Sequence, residues 1–176
     1  MHKKFLARSL VHTLFRMRSF NNACIKKFAG NIKNKKILEI GSGKSYKGKY
    51  IYSAKPFFDS SNVFIQSDII KYYGHKVIDA TKISYKHEFD IILCANVLEH
   101  VFDFHKAITN LYTALKTEGV LIIFVPVFYP LHDEPHDYWR FTEYSLKELL
   151  KKFKEIHIKH SGLRSYPFGY YVEARK

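Results

Sequence analysis

Cysteine is scarce in this sequence. Cys24 and Cys94 are the only two, and they stand far apart in the chain. They form neither a disulfide framework nor the paired spacing of a zinc site. We therefore expect a cytoplasmic protein, in which thiols stay reduced, and we assign it no metal site.

Long hydrophobic runs are also missing. The longest extends from Val120 to Leu131 and is interrupted by Pro126 and Pro130. A helix that spans a bilayer needs about 20 apolar residues, so we expect no transmembrane helix. The chain is nevertheless 47% hydrophobic over 176 residues, which is enough for one domain with a substantial core.

Acidic residues are absent from the first 36 positions. Ten Lys or Arg lie there, whereas the other 140 residues carry 19 basic and 16 acidic side chains. Most of the formal charge of +13 therefore belongs to an N-terminal segment, which we set at residues 1–35, and a nearly balanced domain follows at residues 36–176. A basic total of this kind is weak support for nucleic-acid binding by the domain itself.

The basic N-terminal segment has a helical pattern. Five apolar residues recur at helical spacing between basic ones: Phe5, Leu6, Leu10, Leu14 and Met17. This spacing predicts an amphipathic helix over residues 3–20, followed by a second short helix that ends near Gly30. Four roles stay open for this segment: contact of residues 1–20 with an anionic membrane or polyanion, a lid over a ligand site, an organellar transit peptide, or packing on the domain with solvated lysines.

After Lys36 the pattern changes to short apolar segments that alternate with helical ones. The predicted strands are Lys36–Ile40, Val63–Ser67, Lys76–Ile78, Phe89–Ala95, Gly119–Val125, Glu155–His160 and Tyr170–Ala174, and the predicted helices are His105–Lys116 and Thr142–Lys154. Such alternation predicts an α/β fold with a Rossmann-like, doubly wound, mostly parallel seven-stranded sheet. The last two strands are joined without room for a helix, so the final strand should run antiparallel.

A glycine-rich turn follows the first strand, in the stretch Ile37-Leu38-Glu39-Ile40-Gly41-Ser42-Gly43-Lys44-Ser45. Glycines at such a turn let a ligand approach the backbone closely. A phosphate-binding P-loop is excluded because its first glycine would fall at Leu38. A dinucleotide fingerprint is disfavoured because Tyr46 occupies the position of its third glycine. An ordinary strand-to-helix turn stays open at this stage.

Polar residues follow the next strands in a regular order. Asp68-Ile69 follows the second strand, Asp79-Ala80 the third, and Asn96-Val97-Leu98-Glu99-His100 the fourth. With Glu39 two residues before the first glycine, these elements resemble the class I S-adenosylmethionine-dependent methyltransferases, and most closely the type-11 methyltransferase-domain group. The resemblance covers about residues 36–175.

The resemblance implies a binding site for S-adenosylmethionine. Glu39 would lie near the methionine part of the cofactor. Asp68 would accept hydrogen bonds from both ribose hydroxyls, and Asp79 would lie beside the adenine amino group. The full predicted cofactor set is Glu39, Gly41, Ser42, Gly43, Asp68, Ile69, Asp79, Ala80, Asn96, Val97 and His100.

The chain departs from the family pattern in two places. The stretch between Gly43 and Asp68 is longer than usual and contains Pro56, so the first helix should be short or displaced. The stretch between Asp68 and Asp79 is too short for a helix, so a turn should replace it.

A second polar stretch follows the fifth strand and ends at Thr142. Ligands of open parallel sheets bind beyond the carboxyl ends of the strands, where this stretch begins. It resembles the His-x-x-Pro-x-Asp-Tyr-Trp/Phe-Arg-Phe-Thr segment of a methyltransferase subgroup associated with surface-polysaccharide synthesis. His132, His136 or Asp137 could remove a proton from an acceptor hydroxyl or amine. Arg140 could hold a phosphate or carboxylate of the substrate.

Two other interpretations of this stretch stay open. One is a metal site built from its four clustered ligand-type side chains, His132, Asp133, His136 and Asp137. In the other, Trp139 and Phe141 pack into the core and Arg140 pairs with a carboxylate. Thr142 then caps the following helix.

The sequence restricts the class of methyl acceptor only through a motif that the chain lacks. The Asn/Asp-Pro-Pro-Tyr/Phe motif of amino-group methylation on adenine and glutamine would fall at Asn96, where the chain has Asn96-Val97-Leu98-Glu99. We therefore expect methyl transfer to a small-molecule or carbohydrate-like acceptor, glycan- or lipid-linked. The alternatives are an RNA methyltransferase that uses residues 1–36 as a basic arm, and an S-adenosylmethionine-binding partner protein without turnover. A homodimer is compatible with each.

Overall fold

The computed structural model describes residues 17–46, 49–50 and 52–176. The strands are β1 Lys36–Ile40, β2 Ser45–Tyr46, β3 Lys49–Tyr50, β4 Val63–Asp68, β5 Lys76–Val77, β6 Phe89–Ala95, β7 Leu115–Pro126, β8 Glu155–Leu163 and β9 Tyr166–Arg175. The helices are α1 at residues 17–29, α2 Phe104–Ala114 and α3 Glu143–Leu149. The helix predicted over residues 3–20 lies mostly outside the described residues. None of the described helices is long and apolar enough to span a membrane.

Seven of the strands form one sheet in the order β5-β4-β1-β6-β7-β9-β8. β9 runs antiparallel to its neighbours β7 and β8, and the other six strands are parallel to one another. The mostly parallel seven-stranded sheet with an antiparallel final strand is therefore confirmed. Ile37 in β1 pairs with Phe64 of β4 on one side and with Ile91 of β6 on the other. The carboxyl ends of these three strands consequently lie side by side.

Alternate residues of the central strands face opposite sides of the sheet. Ile37 and Ile91 belong to the core under α1, where Ile25 is buried against them. Leu38 and Ile92 belong to the core under α2 and α3. Helices thus cover both faces, as a doubly wound sheet requires.

The helix α2 begins at a side-chain cap. Asp103 accepts a hydrogen bond from Lys106 N (3.0 Å), which satisfies one of the free N–H groups of the first turn. The buried residues of α2 are Ala107, Ile108, Leu111 and Ala114. Their spacing forms one apolar face, which packs on the sheet.

The last helix is shorter than the sequence predicts. α3 ends at Leu149 and not at Lys154, because the chain turns to bury Phe153, whose ring contacts Tyr112 edge-on at 5.0 Å between centroids. Lys154 N then donates to Arg175 O (2.8 Å), and β8 begins at the next residue. Residues 150–154, which the sequence pattern assigns to a helix, therefore form the turn into β8 instead.

Between β1 and β4, the described residues form no regular α-helix. The chain instead forms the hairpin β2–β3 and a 3₁₀ turn at Lys55–Phe57 that contains Pro56. Between β4 and β5, a single 3₁₀ turn at Lys71–Tyr73 replaces a helix. Both departures from the family pattern that the sequence predicts are present.

Candidate active site

The carboxyl end of β1 continues into a tight turn that requires two glycines. Gly41 and Gly43 have φ angles of 74° and 70°, which residues with a Cβ rarely adopt. A Cβ on Gly41 would lie 2.3 Å from Cγ2 of Val97, so a side chain there would displace its neighbour. Ser42 N donates to Ser67 O (2.9 Å). The turn is therefore held in one conformation between β4 and the end of β6.

Glu39 lies beneath this turn and holds it in place. Its buried carboxylate accepts hydrogen bonds from Ser42 Oγ (2.6 Å), Ser53 Oγ (2.5 Å) and Ala54 N (2.6 Å). Burial raises the pKa of Glu39, and these hydrogen bonds oppose that effect without cancelling it. Glu39 thus joins β1 to the segment after the hairpin, and its contact with a cofactor stays a prediction.

Asp68 closes the turn from the neighbouring strand. Its Oδ2 accepts from Gly43 N and its Oδ1 from Ile70 N, both at 2.9 Å. A carboxylate offers roughly four lone-pair positions, so each oxygen retains one for a ligand hydroxyl. Ile69 is exposed beside it. The arrangement is compatible with the predicted contact between Asp68 and a ribose.

Asp79 caps a 3₁₀ turn at the end of β5. It accepts from Thr81 N (2.9 Å) and Thr81 Oγ1 (2.7 Å), and it pairs with Lys82 Nζ (3.3 Å). Burial acts to raise the pKa of Asp79, but these contacts outweigh it and the pKa is lowered. Ala80 is buried. The residue before Asp79 donates its backbone N–H to Asp68 O (3.1 Å), so Asp68 and Asp79 lie on adjacent strand ends.

The strand β6 ends at the same edge. Asn96 has a φ of 52° and donates its backbone N–H to Phe124 O (2.9 Å), and the side chain of Val97 faces Gly41. A 3₁₀ turn, Leu98–His100, follows. The predicted cofactor residues are therefore gathered at the carboxyl edge of β1, β4, β5 and β6, where open α/β sheets bind ligands.

The loop between β7 and α3 is held by an ion pair. Arg140 donates to both carboxylate oxygens of Asp137, at 2.6 and 2.8 Å, and to the carbonyl of Trp139 (2.8 Å). The Asp137 side chain is 1% exposed, and the Arg140 guanidinium holds its pKa well below the usual range. The structure thus shows Arg140 paired with a carboxylate, and a contact with substrate by either residue stays a prediction.

The same loop also packs into the core. Phe141 and Trp139 both contact Phe104 edge-on, with centroids 5.2 and 5.1 Å away. Thr142 caps α3 through a reciprocal hydrogen-bonded pair with Ser145. The interpretation in which Trp139 and Phe141 pack into the core and Thr142 caps α3 is therefore confirmed.

His132 meets His100 where the loop crosses the end of β6. The Nε2 atoms of the two rings are 3.1 Å apart. Glu99 O accepts the backbone N–H of Tyr138 (2.8 Å), which docks the loop on this turn. The ring of His136 is exposed, and its Nδ1 lies 2.8 Å from the Tyr138 hydroxyl. Two predicted catalytic residues therefore contact His100 of the predicted cofactor set, His132 through its ring and His136 through its carbonyl oxygen.

The partners of the two rings determine which nitrogen carries the proton. His100 Nδ1 faces the carbonyl oxygen of His136 (2.9 Å). His132 Nδ1 faces Pro130 O (3.1 Å) and Asp137 Oδ2 (3.2 Å). Carbonyl and ionised carboxylate oxygens only accept, so each Nδ1 donates, and each neutral ring presents a lone pair at Nε2.

The sequence matches the family model of a methyltransferase domain over residues 14–160. The match includes the glycine turn, the four strand ends and the loop with His132. The chain belongs to this family. Its sheet is that of the class I methyltransferases, as the resemblance implies. None of the curated proteins compared with it matches it in sequence.

Solved structures share the fold of this methyltransferase. The CurJ carbon methyltransferase has a TM-score of 0.66 at 15% identity, over 88% of this chain and 53% of that one. The 1,6-didemethyltoxoflavin-N1-methyltransferase of Burkholderia thailandensis gives 0.65 at 18%, over 92% and 78%. The N-methyltransferase NodS of Bradyrhizobium japonicum WM9 gives 0.67 at 16%, over 91% and 96%. This methyltransferase thus spans about half of the first chain and most of the other two. Since their names include both carbon and nitrogen acceptors, the fold leaves the acceptor open.

One buried residue of this methyltransferase lies at the site without having been predicted there. Glu99 is fully buried, and among the described residues neither of its carboxylate oxygens has a hydrogen-bond partner. Its Oε1 lies 3.9 Å from Nε2 of His100 and 3.9 Å from Nε2 of His132. Burial raises the pKa of Glu99 to about 8. The available signal was an acid between Leu98 and His100, directly after a buried strand, since perturbed acids cluster at functional sites.

Proposed function

We propose that this methyltransferase binds S-adenosylmethionine at the carboxyl edge of β1, β4 and β6 and transfers its methyl group to a small-molecule or glycan- or lipid-linked acceptor. The observation that carries the proposal is the convergence of three features at this edge. They are the glycine turn, the Asp68 carboxylate, and the imidazole pair His100–His132.

The donor side of the proposal rests on the glycine turn and its carboxylates. Without a Cβ at Gly41 or Gly43, the cofactor can lie directly against the backbone. The free lone pairs of Asp68 suit the two ribose hydroxyls. Glu39 and Asp79 add negative charge around a cofactor that bears an ammonium and a sulfonium group.

The acceptor side rests on His100 and His132. In the neutral form of either ring Nε2 carries a lone pair, which suits an acceptor that must lose a proton as it gains a methyl group. The acceptor atom attacks the methyl carbon in line, the bond from sulfur to that carbon breaks, and S-adenosylhomocysteine leaves as a neutral thioether. The acceptor proton passes to a base at the site or to solvent. Positioning and loss of the sulfonium charge supply most of the rate.

Two observations favour a small acceptor. The chain has Asn96-Val97-Leu98-Glu99 where amino-group methyltransferases acting on adenine or glutamine carry a Pro-Pro motif. A structural neighbour, the Burkholderia thailandensis enzyme, holds the small molecule 1,6-didemethyltoxoflavin together with S-adenosylhomocysteine.

The charge of the N-terminal segment favours a second candidate, RNA methylation. Lys26 and Lys27 are exposed on α1, within a stretch of 36 residues that has no acid. Binding to RNA through such an arm would weaken steeply as salt increases. Contact with a membrane surface, a homodimer and a cytoplasmic location also stay predictions.

The test is the formation of S-adenosylhomocysteine in the presence of acceptor panels: sugars and nucleotide sugars, lipid-linked glycans, small amines, and tRNA. We expect turnover with one of the first three classes, and His132→Gln should lower it about tenfold or more. His157→Gln, exposed on β8, is the matched control and should leave turnover unchanged. Turnover with tRNA alone, or cofactor binding without turnover on any panel, would contradict the proposal.

A further inference from the structure

We propose that Glu99, His100 and His132 bind one divalent transition-metal ion of the class of Zn²⁺ at the carboxyl edge of the sheet. This ligand set differs from the one that the loop sequence suggests, because only His132 belongs to both. It joins the turn after β6 to the loop after β7, which are 32 residues apart at the two histidines.

The three ligand atoms have the spacing that such an ion needs. The two Nε2 atoms are 3.1 Å apart, and each lies 3.9 Å from Glu99 Oε1. A point equidistant from the three atoms therefore lies about 2.1 Å from each, which is the length of a bond from Zn²⁺ to an imidazole nitrogen or a carboxylate oxygen. The three distances therefore match one ion held between these side chains.

The cluster also contains acceptors without a donor. Both Nδ1 atoms donate elsewhere, so in their neutral forms the two rings turn the lone pairs of His100 Nε2 and His132 Nε2 toward each other. The carboxylate of Glu99 has no hydrogen-bond partner among the described residues. Such a buried, unpaired group is costly. A cation at the centre of the cluster satisfies all three side chains at once.

The surroundings match the outer shell of a metal site. Histidines that bind a metal donate their other N–H to a carbonyl or carboxylate, which fixes the ring. His100 does so to His136 O (2.9 Å), and His132 Nδ1 lies 3.2 Å from Asp137 Oδ2. Asp137 is itself held by Arg140. Both rings are therefore oriented before an ion binds.

The donor set selects the class of ion. Two imidazoles and one carboxylate suit Zn²⁺ and its transition-metal neighbours, whereas Mg²⁺ and Ca²⁺ prefer oxygen alone. Glu99 is fully buried, while the side chains of His100 and His132 are 19% and 25% exposed, so the open coordination position faces outward. Three protein ligands and one open position are typical of catalytic ions. An acceptor oxygen bound there would lose its proton more readily, and that proton would pass to solvent because the ion would occupy both Nε2 lone pairs. This role rests on the proposed methyl transfer.

The test measures the ion and not turnover. The full-length protein, stripped with a chelator, is titrated with ZnCl₂ by calorimetry, and Co²⁺ serves as a spectroscopic probe. We expect one ion per chain and a visible Co²⁺ absorption band. His100→Gln and His132→Gln should each weaken binding about tenfold or more. His136→Gln, in the same loop but outside the ligand set, is the matched control and should bind like the wild type.

A second variant separates the ligand role from folding. Glu99→Gln keeps the shape of the side chain and removes its charge, so it should melt cooperatively by circular dichroism while its Zn²⁺ affinity falls about tenfold or more. A wild type that takes up neither Zn²⁺ nor Co²⁺ overturns the proposal, as does binding that His136→Gln weakens and His100→Gln does not. Titration of S-adenosylhomocysteine into the metal-free protein is scored separately, so failure of the ion site and failure of the methyltransferase site are distinguishable.

Discussion

At the scale of single residues, Gly41 is the described glycine at which an added Cβ would make the shortest contact. Gly41→Ala should disrupt both the fold and the cofactor site. The new Cβ would meet Val97 Cγ2 at 2.3 Å, and the φ of 74° is strained for alanine. Strain and overpacking together should lower the free energy of unfolding by about 2–4 kcal/mol. Urea denaturation measures the loss, and titration with S-adenosylhomocysteine measures the site.

Gly74→Ala is the matched control for this substitution. Its φ is 79°, but no atom lies within 4 Å of the added Cβ, so only the backbone strain of about 1–2 kcal/mol should appear. Equal losses in the two variants would contradict the close approach of Val97 to the turn.

Single residues also show what the sequence could and could not predict. Gly41 and Gly43 lie in the turn after a strand and Asp68 ends one, so their place at the strand ends was predictable. The partners of Glu39 were not, because Ser53 lies 14 residues further along an irregular segment. Glu99 lacks a hydrogen-bond partner among the described residues. This depends on a loop more than 30 residues later in the chain, so no local sequence pattern predicts it.

At the scale of elements, Thr142 determines where α3 begins. Its hydroxyl accepts from Ser145 N (3.2 Å), and Ser145 Oγ accepts from Thr142 N (2.9 Å). Thr142→Ala removes this cap and should lower the free energy of unfolding by about 1 kcal/mol. Thr109→Ala, on the exposed side of α2, should be neutral or slightly stabilising because alanine favours helix. Urea denaturation compares the two, and equal losses would mean that the cap contributes nothing.

Asp90 links three strands of the sheet and should make stability depend on pH. Its Oδ2 accepts from Lys36 N (2.9 Å) and Lys116 Nζ (2.8 Å). Burial acts to raise the pKa of Asp90, but these contacts outweigh it and the pKa is lowered. The stabilisation is therefore present above the unfolded value of about 3.9 and is lost as the pH falls through the folded value. Asp90→Asn should cost about 1–2 kcal/mol at neutral pH.

The measurement for Asp90 is urea denaturation at a series of pH values. The difference between wild type and Asp90→Asn should shrink as the pH falls below about 4. Glu88→Gln, which removes a half-exposed pair with Lys36, should have a small effect throughout. A difference that stays constant down to the acid limit would contradict the role of Asp90.

The elements were predictable where pattern and packing agree. β6 was placed correctly because Ile91, Ile92 and Leu93 form a continuous apolar run between two covered faces. α3 was predicted too long because Phe153 fits a helical face as well as the turn that buries it. Strand pairing favours the turn over a longer helix, since β8 begins where it can pair with β9.

At the scale of the whole molecule, the distribution of charge sets the N-terminal segment apart, whereas side-chain packing joins part of it to the domain. Most of the positive charge lies in residues 1–36, and composition therefore set the segment 1–35 apart. The described part of that segment nevertheless buries Ile25 against the sheet. Composition shows where charge is concentrated. It cannot predict contacts between the segment and the domain, because those depend on the folded sheet. The boundary at residue 35 stays a prediction.

The most direct test of the methyltransferase site is calorimetric titration of S-adenosylhomocysteine into the wild type, Asp68→Ala and Asp59→Ala. We expect one molecule per wild-type chain, with Asp68→Ala weaker by about tenfold or more, or roughly 1.4 kcal/mol, because the acceptors for the ribose are lost. Asp59→Ala, at an exposed turn, should bind like the wild type. A folded wild type that binds no S-adenosylhomocysteine, or an Asp68→Ala variant with unchanged affinity, would contradict the assignment of this edge of the sheet.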